Sequence, residues 1–172
     1  SRMDVTAKLT RSTSAVRPEL GDGWMRILDT LDEVVKAMAL NNVPRELNKR
    51  FFVQIFCFIN VQMFNALLLR RECCSFSNGE YIKMGLSLLD GWARQPQNEA
   101  VGDESLDELR FIRQAVNLLV IHQKPQKTLN EITLELCPQL SIQQLYRIST
   151  MYWDDKYGTE SVNADVLKEM RN

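Results

Sequence analysis

The chain has 172 residues, enough for one domain with a good core. Hydrophobic residues make up 45% and charged residues 25%, an ordinary balance for a soluble globular protein. A formal net charge of −1, with the signs well mixed, excludes a long-range pull toward nucleic acid or anionic lipid.

Residues 1–22 mix Ser, Thr, Arg and Lys with scattered apolar residues, and are expected to be a flexible arm or linker. From Gly23 the pattern changes. Trp24, Ile27, Leu28, Leu31, Val34, Val35 and Met38 recur at helical spacing, which predicts an amphipathic helix over 23–40 with Asp22 as its N-cap. Asn41-Asn42 should end it, and Pro44 suits the first turn of the next helix.

That next helix is expected over 44–71, about 40 Å long at 1.5 Å per residue. Its segment 51–69, FFVQIFCFINVQMFNALLL, holds nineteen uncharged positions between basic pairs, Lys49-Arg50 and Arg70-Arg71. Length alone permits a membrane span. Gln54, Asn60, Gln62 and Asn65 spread polar groups over several faces, which lipid would leave unsatisfied. The preferred reading is the central helix of a soluble bundle, apolar nearly all round because other helices cover it.

Downstream, the capping-box spacing occurs four times: Ser77–Glu80, Ser105–Glu108, Thr128–Glu131 and Ser141–Gln144. Each predicts a helix start. Phe76 with Tyr81 and Leu140 with Leu145 have the spacing of a hydrophobic staple. Helices are expected over 78–94, 106–122, 129–136, 142–153 and about 163–171, with loops at 95–104, 123–127 and 154–162. The expected class is all-α, a multi-helix bundle packed around one long central helix.

A search for chemistry finds little. His122 is the single histidine and ends a predicted helix. The Cys73-Cys74 doublet lacks the Cys-x-x-Cys spacing of a metal site, although Arg70 and Arg71 would favour a thiolate there. Cys57 lies in the apolar run, and the chain has no Asn-x-Ser/Thr sequon. Free thiols in a reducing compartment, the cytoplasm, are the expectation. Asp154-Asp155 reads as a solvated turn. Lys49, Arg50, Lys124 and Lys127 are basic, but neither a phosphate loop nor a basic excess accompanies them. No catalytic, cofactor or metal site is expected.

Three stretches are more telling: FCFINVQMFNALLLRRECCSFSNGEYIKMGLSLL at 56–89, VIHQK at 120–124 and LCPQLSIQQLYRISTMYWDDKYG at 136–158. Over about residues 24–171 the chain resembles the dilute domain, the cargo-binding globular tail of class V and class XI myosins. It is most similar to the plant and algal class XI branch. The resemblance implies that 23–172 is the C-terminal helical subdomain of such a tail. The motor, calmodulin-binding neck and dimerising coiled coil would then lie elsewhere in a homodimeric parent chain. It further implies cargo receptors or adaptors and Rab-type GTPases as partners, and a cytoplasmic place on actin with vesicles or organelles. Neither nucleic-acid binding nor direct membrane insertion is expected. In animal relatives the tail folds back on the motor head through basic residues, and the matching positions here are Arg71 and Arg147. A dilute-domain scaffold of a non-motor, junctional or cytoskeletal protein is the alternative.

Overall fold

The computed structural model describes residues 18–155 and 157–171. The flexible arm expected over 1–22 therefore lies mostly outside the described residues. The chain divides into two compact units, Ser1–Asn42 and Val43–Asn172.

In the first unit, α1 runs Pro18–Leu40. It begins five residues before the sequence pattern placed it, so Asp22 lies inside the helix and is not its cap. Its end is as expected. The Asn41 side chain donates to the Ala37 carbonyl at 2.7 Å, and Asn42 turns the chain with φ 51°. Asparagine tolerates that left-handed conformation better than most residues.

The second unit contains α2 (Arg45–Leu69), α3 (Phe76–Ala93), α4 (Gly102–Asp107) and α5 (Arg110–Val120). A π-helical turn (Glu131–Leu136), α6 (Ile142–Met151) and α7 (Ala164–Arg171) follow. Among the described residues no strand occurs, only one bridge between Ser75 and Trp153. The all-α bundle is what the sequence pattern requires. Helix α2 packs against α4, α5 and α6, while α3 lies along α5 and α7 along α6.

The inner face of α2 is Phe52, Phe56, Asn60, Phe64 and Leu67, spaced by three and four. Asn60 is the one polar group in that line. Its amide oxygen accepts from the Ile112 backbone N–H at 3.0 Å, in the first turn of α5. Helix α5 has no side-chain N-cap of its own, so Asn60 satisfies one of its orphan donors from across the core. Among the described residues α2 is the one helix long and apolar enough to cross a membrane. Only 28% of its most apolar window is buried, which corrects the expectation that other helices cover it nearly all round.

Two capping boxes form as predicted. Thr128 and Glu131 exchange hydrogen bonds at 3.2 and 2.8 Å, and Ser141 and Gln144 at 3.2 and 2.9 Å. The Thr128 amide, the Lys127 ammonium and the Thr128 hydroxyl together hold the Glu131 carboxyl down to about 2. The other two boxes do not form. The cap of α3 is Ser75, two residues earlier, which accepts from Asn78. Phe76 thereby becomes the first helical residue and no staple; its ring meets His122 at 4.9 Å and Tyr157 at 5.2 Å. Ser105 lies buried within α4 and donates to Val101 at 2.6 Å. The single helix expected over 106–122 is instead broken at Glu108–Leu109.

The approach of α3 to α5 depends on Gly79. A Cβ there would lie 2.8 Å from Val120 Cγ1 and 2.9 Å from Leu119 Cβ. Gly91, on the same helix, has nothing within 4 Å of its missing Cβ. Gly79→Ala should cost about 1–3 kcal/mol by overpacking. Gly91→Ala should gain about 0.5–1 kcal/mol from helix propensity. Urea unfolding of the two variants checks the pair; equal effects would exclude a close-packed crossing.

Candidate functional site

Helix α2 ends in a knot of polar contacts that begins at the RREC turn. A helix leaves its last carbonyls without intrahelical donors. Here the Ala66 carbonyl accepts from the Arg70 amide at 2.9 Å, and the Leu67 carbonyl from Cys74 Sγ at 3.0 Å. The Leu68 carbonyl accepts from Arg147 Nε on α6 at 3.0 Å. One turn later, Trp153 Nε1 donates to the Arg71 carbonyl at 3.0 Å, and the Trp153 amide donates to Cys74 at 3.1 Å. The segment 147–153 thus clamps the segment 67–74 from a distance of about eighty residues in sequence.

The two arginines singled out in the sequence meet at this corner, in different states. Arg147 spends one nitrogen on the helix end. Arg71 projects an exposed guanidinium, with no acidic group at ion-pair distance among the described residues. Its neighbour Arg70 pairs with Glu72 at 2.8 Å. The corner therefore presents net positive charge, with Arg71 as its least committed member.

Two of the four cysteines, Cys74 and Cys137, are shielded from reaction. Cys74 is fully buried, and burial pushes its thiol up to about 11. Cys137 is likewise buried and pushed up to about 12. A thiol held that high is protonated and inert at neutral pH. Among the described residues no group of three or more His, Cys, Asp or Glu side chains is placed to hold a metal ion.

Behind the corner lies a second tie that the sequence did not reveal. Asp155 was read as part of a solvated turn. Its carboxylate instead accepts from the Ser77 amide at 3.0 Å and from the Ser77 hydroxyl, at the N-terminus of α3. Partial burial raises its pKa, but the bonds from Ser77 and Ser75 outweigh that and hold it below the ordinary value. Asp154 folds the next loop by accepting from the Tyr157 amide at 3.1 Å.

Lys124, one of the basic residues weighed in the sequence, is buried. Its ammonium donates to the Leu119 and Ile121 carbonyls at 2.8 Å each, closing the C-terminus of α5, and sits 4.4 Å from the Tyr152 ring centroid. Burial pushes it down to about 8. A lysine just past a helix end is the available sequence sign of such a cap. His122 is exposed just past the end of α5, its ring tilted 48° against that of Phe76.

Two outcomes follow from this geometry. Arg147→Ala should cost about 1 kcal/mol by freeing the Leu68 carbonyl, whereas Arg71→Ala should stay within about 0.5 kcal/mol; urea unfolding distinguishes them. Cys74 should resist iodoacetamide at pH 7.5 in the folded chain and react once denatured. Mass spectrometry of the alkylated peptides reads this directly, and fast native labelling would contradict the buried thiol.

The family model for the DIL domain matches residues 50–156. Myosin-17 of Arabidopsis thaliana is 56% identical over 171 residues, 99% of this chain and 11% of its own length. Myosin-5 of the same plant is 62% identical over 148 residues, 86% of this chain and 10% of its own length. Protein OPAQUE1 of Zea mays is 48% identical over 167 residues, 96% of this chain and 11% of its own length. The chain spans about a tenth of the length of these curated relatives. It belongs to the DIL, or dilute, domain family, in the plant class XI myosin branch.

Proposed function

We propose that this module is the receptor-binding part of a myosin tail, linking vesicles or organelles in the cytoplasm to actin-based movement. The observation that carries the reading is the alignment of nearly the whole chain with plant myosins, through a DIL match that includes the RREC corner. The relatives matched over its length are named as myosins, which favours a motor tail over a junctional scaffold. Its role is adhesion without turnover. Receptors, adaptors and Rab-type GTPases would dock on helix surfaces, and buried apolar contacts would supply most of the affinity.

The same reading gives the RREC corner a second role, a contact with the parent's own motor head. Arg71 suits it because its charge is exposed and uncommitted, and a charge of that kind acts through association rate and salt sensitivity. Arg147 supports the corner by holding Leu68 and adds a second positive charge. Cargo and head would then compete for the tail through differential affinity.

Arg71→Glu in the full-length parent should weaken head–tail association at low salt and raise basal ATPase activity several-fold. Unchanged association would remove the head contact. Arg147→Glu also disturbs the helix end, so its stability must be measured alongside. For cargo, this chain fused to an unregulated actin motor should move organelles along filaments. A fusion that walks on actin without carrying organelles would contradict the receptor-binding role.

A further inference from the structure

The outer face of α2 is apolar and open. Leu47, Phe51, Phe58, Val61 and Leu69 are 37–73% exposed. Their spacing of 4, 7, 3 and 8 residues keeps them within a strip about 80° wide at 100° per residue. This strip lies opposite the buried line Phe52, Phe56, Asn60, Phe64 and Leu67. The helix is therefore apolar on two faces, and the other helices of its own unit pack on one of them. An apolar strip of this length on a soluble surface marks an interaction site.

Charge identifies the occupant. No charged residue interrupts 51–69. Near one end, between Leu47 and Phe51, stands Arg50, next to a Glu46–Lys49 pair that offsets itself, and at the other end stand Arg71 and Arg147; all three arginines are exposed. None of the three has an acid at ion-pair distance among the described residues, whereas Arg45 and Arg70 are paired with Glu99 and Glu72. Gln54 and Asn65 supply two exposed amides inside the strip, eleven residues or about 16 Å apart.

A second copy of this chain fits badly. Pairing α2 with itself brings basic end to basic end if antiparallel, and Arg50 to Arg50 and Arg71 to Arg71 if parallel. A bilayer fits badly too, because hydrocarbon leaves the Gln54 and Asn65 amides unsatisfied. A helix of another polypeptide meets every demand. It can offer apolar side chains at three-and-four spacing, polar groups to meet the two amides, and acids at both ends.

We propose that the outer face of α2 docks an amphipathic partner helix of about 22 residues, with acidic groups at both ends and two polar positions eleven residues apart in its apolar strip. The surface belongs to α2 itself and does not depend on which organelle or receptor the tail serves.

The probe is a synthetic 24-residue peptide with Leu and Ile at three-and-four spacing, two Asn residues eleven apart, and Glu pairs at both ends. One control exchanges the Glu pairs for Lys pairs, and another scrambles the spacing. Fluorescence anisotropy with the 172-residue chain at low salt should show the Glu-ended peptide bound at least tenfold more tightly than either control. Phe58→Glu should abolish binding; this side chain is 60% exposed, so the fold should tolerate the change. The double variant Arg50→Glu, Arg71→Glu should favour the Lys-ended peptide instead. Equal binding of all three peptides would overturn the proposal. So would a Phe58-dependent dimer in sedimentation, or Phe58-dependent binding to phosphatidylserine vesicles. The assay contains neither motor head nor organelle, so its failure leaves the proposed function standing.

Discussion

Each helix leaves donors unpaired at one end and acceptors at the other, and in this fold many of those groups are satisfied from a distance. The Leu68 carbonyl of α2 is met by Arg147, the Ile112 amide of α5 by Asn60, and the Ser77 amide of α3 by Asp155. Lys124 closes the far end of α5 with two bonds. The first three ties cross 79, 52 and 78 residues of sequence, so they form only when the helices are already docked. They also fix how the helices dock, because a hydrogen bond tolerates less displacement than an apolar contact.

The corner at RREC follows from that arrangement. Its backbone is held by Trp153, Cys74 and Arg147, which leaves the Arg71 side chain with no structural duty in the described residues. The backbone is fixed there, while the exposed guanidinium keeps the rotamer freedom of a surface arginine. The buried thiol contributes by packing and by its bond to Leu67, and burial keeps it protonated. The corner therefore carries exposed positive charge on a backbone tied down from far along the sequence.

Much of this was legible in the sequence, and the exceptions share a cause. Helical periodicity located every long helix, since burial of one face follows directly from residue spacing. Thr128–Glu131 and Ser141–Gln144 formed their boxes because both partners lie in one local turn. Ser77 had the same spacing, but Asp155 took its amide and hydroxyl, and the cap moved to Ser75. Ser105 matched the motif and was drawn into the core. Asp155 looked like a solvated charge because nothing nearby in sequence marks Ser77 as its partner. Arg71 and Arg147 were found through family resemblance, and their proximity at one helix end emerged only in three dimensions. The open strip on α2 escaped notice because a helix apolar on two faces has the same composition as one that is wholly buried.

Native-state amide hydrogen exchange tests the long-range capping most directly. The amides of Ile112 and Ser77 sit in first helical turns, where exchange is ordinarily fast because local fraying exposes them. If Asn60 and Asp155 hold them, both should exchange as slowly as the interior of α5, through global unfolding alone. Asn60→Ala and Asp155→Ala should each accelerate its own amide first. Fast exchange of both amides in the unaltered chain, at the rate of frayed helix ends, would contradict it.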